Sequence, residues 1–224
     1  MIKELLLCFD FLIFCYIYNI RLNNIHLDDF QLNIGFKDYI VVKKPIIVDM
    51  KVTPHVFVSG LSGNGKSKMV EYSMQHKKVI LFNVFEDDFL SLKPLRIING
   101  NYDILNFLKL MLNDLSKRNK KSEPLYLVFD ELLVLCIDKN ITKSITDLLA
   151  VGRHYNIFIV GISQIGTKES VKFKDLFNTR ICFKQVEESS YKTVLGYTPE
   201  DKNLSCREFY LYSDKICRGE TYNI

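Results

Sequence analysis

Short apolar runs alternate with longer segments of helical periodicity over most of the chain. Compact apolar or β-branched runs predict buried strands at residues 55–59, 79–82, 125–129, 157–162 and 180–183. Apolar residues at helical spacing predict helices over residues 66–76, 102–117 and 141–151. Strands that are continuously apolar and alternate with helices are typical of a parallel sheet covered on both faces. The pattern therefore predicts an α/β fold with a mainly parallel sheet.

The first 53 residues follow a different pattern. Residues 21–53 alternate polar and apolar positions and then form two β-branched runs, which predicts a short β-rich N-terminal extension. Residues 5–20 are strongly apolar, but Asp10 interrupts them, and the run from 11 to 17 is far shorter than the roughly 20 residues of a membrane span. Residues 1–20 are therefore expected to form a helix packed on the domain or on a partner, with a short membrane anchor as the alternative. The main domain is then expected over residues 54–224.

Composition narrows the class of protein without identifying it. The 224 residues are 48% apolar and 25% charged, which fits one globular α/β domain and excludes a disordered chain. The net charge of +4 is compatible with nucleic-acid binding but too small to indicate it. The six cysteines contain no C-x-x-C pair and the four histidines are scattered, so we expect reduced thiols and no zinc site. This usage is typical of a cytoplasmic protein, with peripheral membrane association left open by residues 1–20.

A phosphate-binding loop is predicted between the strand at 55–59 and the helix that follows. Residues 60–67 read GLSGNGKS and fit the pattern G-x-x-x-x-G-K-[ST]. Glycines let backbone N–H groups converge on phosphate oxygens, and a helix N-terminus adds positive potential. Lys66 is expected to reach the β- and γ-phosphates, and Ser67 to bind Mg²⁺. The residues predicted to bind ATP are Gly60, Leu61, Ser62, Gly63, Asn64, Gly65, Lys66, Ser67 and Lys68.

Two adjacent acids end the apolar run at 125–129 and supply the second half of such a site. Asp130 is expected to hold Mg²⁺, directly or through water, and Glu131 to polarise the attacking water. A glutamate beside the metal-binding aspartate favours an ATPase that turns over rather than a small-molecule kinase. The alternative for this pair is a solvated strand end.

Three further polar residues are candidates because of their order along the chain. Gln164 ends the strand at 157–162, where a parallel sheet faces its ligand, and could sense the γ-phosphate. Arg153 precedes that strand and could act on a neighbouring subunit's γ-phosphate, near the edge of the nucleotide crevice. Arg180 is a second candidate for that role. A surface glutamine and a helix-capping arginine remain the alternatives.

Several segments resemble the FtsK–HerA superfamily of DNA-pumping ATPases, over roughly residues 36–224. They are the Pro-His lead into the phosphate loop at 54–60, the Gly-Arg and Ser-Gln elements at 152–157 and 162–164, the strand and serine-rich turn at 178–184 and 189–196, and a final hairpin at 208–212. Ser163 stands where the family usually has Thr. The resemblance implies a RecA-like P-loop NTPase core. It also implies a homo-oligomeric ring, a pentamer or hexamer around double-stranded DNA, with ATP bound between subunits.

The resemblance implies a function as well as a fold. The chain is expected to be a nearly bare motor, without the long membrane region and the winged-helix tail of FtsK. An ATP-driven translocase of double-stranded DNA follows, for viral genome packaging or mobile-element transfer. The alternatives are an ATP-driven motor acting on protein, as in secretion, and a nucleotide-dependent assembly module. Residues 1–20 would contact a membrane or a portal or transfer complex. Backbone-directed DNA contacts are expected from the loop lysines Lys168, Lys172 and Lys174, unless that loop is simply solvated.

Overall fold

The computed structural model describes residues 11–13, 27–39, 42–85, 87–164, 166 and 174–223. Ten strands are present in this part of the chain: β1 (Gln31–Tyr39), β2 (Val42–Asp49), β3 (Val56–Ser59), β4 (Val79–Phe82), β5 (Arg96–Ile98), β6 (Leu125–Phe129), β7 (Ile157–Ser163), β8 (Thr179–Phe183), β9 (Glu208–Tyr212) and β10 (Ile216–Glu220). The helices are α1 (Lys66–Ser73), α2 (Asn101–Asn113), α3 (Leu132–Leu135), α4 (Lys139–Val151) and α5 (Glu188–Leu195).

All ten strands belong to one sheet, in the order β2-β1-β10-β9-β8-β3-β7-β6-β4-β5. The six strands from β8 to β5 are parallel, and β3 lies between β7 and β8. The remaining four strands pair antiparallel beyond β8. The predicted mainly parallel sheet is confirmed, and it aligns the carboxyl ends of β3, β7 and β6 side by side.

Apolar side chains cover both faces of the sheet. Neighbouring residues of β3 show the alternation: Phe57 packs on one face, and Val56 and Val58 pack on the other. The face that carries Phe57 is covered by α2, α3, α4 and α5. The opposite face is covered by α1 and by the apolar side of the β1–β2 hairpin. Helices therefore lie on both faces, as the sequence predicts.

The β-rich N-terminal extension is present as the β1–β2 hairpin. Its β1 strand pairs with β10, the last strand of the chain, with Phe36 opposite Glu220. Its apolar residues Leu32 and Ile34 are buried in the same cluster as Met69 of α1. The hairpin is therefore continuous with the sheet that carries the phosphate loop.

Two predicted elements are shorter in the structure. The helix predicted to run to residue 76 ends at Ser73, and the one predicted over 102–117 ends at Asn113 before a 3₁₀ turn. Phe11, Leu12 and Ile13 are helical and exposed, but the rest of the segment 1–20 lies outside the described residues. No helix in the described part of the chain is both long and apolar enough to cross a membrane.

Candidate nucleotide site

The phosphate loop joins β3 to α1, and both neighbouring strands anchor its first turn. The Gly60 N–H donates to the Ser163 carbonyl of β7 at 3.2 Å, and the Leu61 N–H donates to the Lys184 carbonyl after β8 at 2.9 Å. Gly60 has φ +152°, and a Cβ there would meet the Phe183 Cβ at 2.5 Å. Only glycine fits so close an approach with that backbone. The first glycine of the motif therefore fixes the loop against β8.

Lys66 begins α1 and is buried inside the loop. Its ammonium donates to the Leu61 carbonyl at 2.9 Å, and the residue is 7% exposed. Burial lowers the pKa of Lys66, while the charges of Glu131 and Asp130 act in the opposite direction. The loop itself supplies an acceptor for the lysine. A phosphate oxygen would have to replace that carbonyl.

The two acids follow β6, which lies on the far side of β7 from β3. Burial, followed by the negative charges of Asp88 and Glu131, raises the pKa of Asp130 to about 6. Glu131 has φ +50°, in the left-handed region that residues other than glycine seldom adopt, and α3 begins immediately after it. Unusual backbone at such a position is typical of functional residues.

Gln164 lies at the end of β7, between the loop and the acids. Its backbone N–H donates to a carboxylate oxygen of Glu131 at 3.3 Å, while its side chain is exposed. The structure thus brings the predicted glutamine into direct contact with the predicted water-polarising glutamate. That contact links β7 to the end of β6.

These groups surround one cleft of about 450 Å³. Its lining includes the loop residues Ser62, Gly63, Gly65, Lys66, Ser67 and Lys68 together with Asp130, Glu131 and Gln164. Phe85 and Asp88 also line it and were missed from the sequence. They follow β4, whose carboxyl end is beside that of β6. The signal that could have found them is this strand adjacency rather than any local motif.

The cleft suits a hard divalent cation bound together with phosphate. The Ser67 hydroxyl and the Asp130 carboxylate are oxygen ligands, which Mg²⁺ prefers. Among the described residues no three His, Cys, Asp or Glu side chains are grouped to hold a metal ion by themselves. Magnesium commonly binds through one or two carboxylates plus substrate phosphates and water, so this donor set fits Mg²⁺ with ATP.

Arg153 lies at the opposite end of β7 from the cleft. It belongs to a 3₁₀ turn, Gly152–Tyr155, that precedes the strand, and its charge helps burial to lower the pKa of His55 to about 4. His55 itself precedes β3 and accepts the Ile159 N–H at 3.0 Å. A seven-residue strand is about 20 Å long. Arg153 is therefore separated from the cleft of its own chain by the length of β7, and its action on a neighbouring subunit's γ-phosphate stays a prediction.

Two other candidates, Arg180 and Lys174, donate hydrogen bonds to carbonyl groups of their own chain. The Arg180 guanidinium donates to the Phe177 and Val194 carbonyls, both at 3.3 Å, and stacks over the Tyr212 ring. The Lys174 ammonium donates to the Thr193 carbonyl at 2.6 Å. Lys168 and Lys172 lie outside the described residues, so their role as DNA contacts stays a prediction.

A scan against protein-family models and a search of curated proteins both found no match. Solved structures do match. The pCW3 conjugation coupling protein TcpA, solved with ATPγS, aligns at a TM-score of 0.74 and 15% identity, over 89% of this chain and 68% of TcpA. The cytoplasmic domain of the Thermomonospora curvata type VII secretion ATPase EccC aligns at a TM-score of 0.71 and 16% identity, over 90% of this chain and 30% of EccC.

A third similar structure is the genome-packaging NTPase B204 of Sulfolobus turreted icosahedral virus 2, solved with AMPPCP. It aligns at a TM-score of 0.56 and 14% identity, over 77% of this chain and 99% of B204. The chain has the same fold as these three proteins. The fold that the resemblance implies, a RecA-like P-loop core, is thereby confirmed. These neighbours differ in their roles, since a coupling protein, a secretion ATPase and a packaging NTPase are all among them.

Proposed function

We propose that this chain hydrolyses ATP to drive the movement of double-stranded DNA. The observation that carries the proposal is the convergence of the phosphate loop, the Asp130–Glu131 pair and Gln164 on three neighbouring strand ends around one cleft. Support for DNA as the cargo comes from B204, which this chain matches over nearly all of B204, and from TcpA. Genome packaging and transfer of a mobile element are both compatible with this proposal.

The residues of the cleft have distinct parts in hydrolysis. Lys66 exchanges the Leu61 carbonyl for phosphate oxygens when ATP enters. Ser67 and Asp130 would hold Mg²⁺, which would neutralise charge on the phosphates. Glu131 orients the attacking water in line with the γ-phosphate. Its contact with the Gln164 N–H couples the state of the γ-phosphate to β7 and to the chain beyond it.

Assembly into a ring completes the site in this proposal. Arg153 is about one strand length from the cleft of its own chain, so in this proposal it serves a neighbour's ATP. A head-to-tail contact that repeats around a closed ring brings one end of each subunit to the opposite end of the next. Hydrolysis would then depend on assembly, because an arginine supplied in trans stabilises the charge of the transition state.

A second candidate cargo is protein. Type VII secretion ATPases, EccC and EssC, are among the similar structures, and this chain spans less than half of each. In that case the apolar residues 1–20 would bind a partner or a membrane surface, and DNA would not affect hydrolysis. Either activity would be carried out in the cytoplasm, where ATP is available.

Steady-state ATPase rates with and without long linear duplex DNA separate these candidates. A DNA motor should be stimulated by duplex DNA, and the stimulation should fade as salt rises, because backbone contacts release counterions. The Lys66→Ala variant lacks the lysine that contacts the phosphates, so it gives the background rate of the assay. Hydrolysis that does not respond to DNA at low salt contradicts the DNA proposal and favours a protein-directed motor.

The assembly-module alternative needs its own control. Glu131→Gln should bind ATP but hydrolyse it at least about 100-fold more slowly, because the water is no longer polarised. Equal, very low turnover by the wild type and by this variant would instead indicate a module that binds nucleotide without motor activity.

A further inference from the structure

The segment before β9 lies against the phosphate loop on the side away from the acids. The Arg207 N–H donates to the Asn64 carbonyl at 3.2 Å, and the Cys206 thiol donates to the Gly63 carbonyl at 3.5 Å. A Cβ at Gly65 would be 3.3 Å from the Arg207 Cγ. The segment before β9 therefore packs against the phosphate loop, although its residues have no part in the proposed hydrolysis.

Arg207 has a backbone conformation that is unusual for an arginine. Its φ is +71°, in a region that favours glycine. Two hydrogen bonds hold it there: its N–H donates to the Asn64 carbonyl, and its carbonyl accepts the Thr221 N–H at 3.0 Å. Strain of this kind persists only where the surroundings enforce it, and it is concentrated at functional sites. The strained residue here is in contact with the phosphate loop.

The Arg207 side chain is held by an ion pair but remains partly exposed. Its guanidinium pairs with the Glu220 carboxylate at 2.9 Å, and the side chain remains 34% exposed. A guanidinium carries five N–H donors in a plane, so one carboxylate leaves donors and a flat face free. Flat guanidinium faces stack on aromatic rings. The exposed part of Arg207 is thus suited to a planar ligand beside the loop.

The order of strands gives the direction in which ATP must lie. Asp130 and Glu131 follow β6, and Gln164 follows β7, on one side of β3. These residues mark the γ-phosphate end. The Arg207 segment precedes β9, beyond β8, on the other side of β3. A nucleotide whose phosphates follow the loop away from the acids would leave its nucleoside on the side of Arg207.

We propose that Arg207 and Cys206 contact the nucleoside of ATP, with the Arg207 guanidinium stacked on the purine ring. This inference rests on the proposed function, since it assumes that the cleft binds ATP. It adds a recognition element to the site, and it makes the C-terminal strands part of the nucleotide site.

Binding of ATP and of inorganic triphosphate, measured by calorimetry, tests the proposal because triphosphate lacks the nucleoside. Arg207→Gly removes the guanidinium and suits the positive φ, so the fold is retained. We expect this variant to bind ATP about two- to fivefold more weakly, the value of one exposed stacking contact, and to bind triphosphate unchanged. Arg218→Ala is the matched control, because Arg218 lies on the same hairpin and pairs with Asp201 and Glu208 instead.

Alkylation of Cys206 by iodoacetamide gives a second readout in the wild-type protein. Cys206 is exposed, whereas Cys182 is buried and Cys136 and Cys217 are half-buried. We expect ATP to slow the modification of Cys206 and triphosphate to leave it unchanged. Mass spectrometry of the peptides reports each thiol separately.

The outcomes are distinguishable. Equal weakening of ATP and triphosphate in Arg207→Gly would mean that Arg207 contacts phosphate, and it would overturn the proposal. Undiminished ATP binding by that variant would overturn it as well, while leaving the proposed function intact. A wild type that binds neither ligand would overturn the proposed function itself, and this inference with it.

Discussion

The surroundings of the Asp130 carboxyl group favour its protonated form. Burial, Asp88 and Glu131 raise its pKa from 3.8 to about 6, and only Lys66 and a backbone N–H act in the opposite direction. A folded-state pKa above the unfolded value means that the folded protein binds the proton more tightly. The unfavourable contribution to stability therefore grows as pH rises from about 4 through about 6. The nucleotide-free site is built at the expense of stability, which is common for functional groups.

Asp130→Asn should remove this pH-dependent cost. We expect the stability of the variant relative to the wild type to increase by about 1 kcal/mol between about pH 5 and about pH 8, allowing for solvent screening. Urea unfolding of nucleotide-free protein at the two pH values measures the difference. Asp88→Asn serves as the matched control, with a smaller change of the same sign. An advantage for Asp130→Asn that is the same at both pH values would contradict the assigned pKa.

At the scale of elements, β7 and α3 set the position of Glu131. Gly161 lies inside β7, and a Cβ there would be 2.5 Å from the Leu132 Cδ2, the first residue of α3. Leu132 is fully buried, so it has little space to move. The close approach of strand and helix is what holds Glu131, immediately before α3, beside Gln164.

Gly161→Ala should therefore push α3 away from β7. We expect a loss of about 1–3 kcal/mol in stability and a fall in kcat with little change in ATP affinity, because the phosphate loop is not displaced. Adding Leu132→Ala should recover part of the rate, since it vacates the space that the new methyl group needs. Urea unfolding and steady-state kinetics on the two single variants and the double variant give the coupling. Additive losses would show that the contact does not position Glu131.

The sequence predicts those elements that short stretches of neighbouring residues specify by themselves. The buried strands β3, β6 and β7 are short apolar runs, and the loop between β3 and α1 has a motif with its own backbone demands, so all were found. The pairing of β1 with β10 was not found from the sequence, because it joins two segments that are almost a whole chain apart. Asp88 and Arg207 were missed for the same reason. Their proximity to the site arises from strand order, which no residue near them in sequence indicates.

At the scale of the whole molecule, the separation of Arg153 from its own cleft allows a test of assembly. Arg153 is exposed, and β7 lies between it and the proposed nucleotide cleft. Arg180, the other candidate, is bound to the Phe177 and Val194 carbonyls, so its loss should reduce stability rather than abolish hydrolysis. Replacing Arg153 should therefore reduce hydrolysis, whereas replacing Arg180 should mainly reduce stability.

Arg153→Ala should retain ATP binding and lose hydrolysis by about 10³-fold or more, the usual effect of an arginine supplied in trans. Lys66→Ala should also be inactive, but it keeps an intact Arg153. If each arginine serves the neighbouring subunit, mixing the two inactive variants creates interfaces where an intact loop meets an intact arginine, and activity returns. If Arg153 acts only within its own chain, the mixture stays inactive, since every subunit lacks one of the two groups. ATPase activity measured against mixing ratio therefore separates a site shared between subunits from a site contained in one.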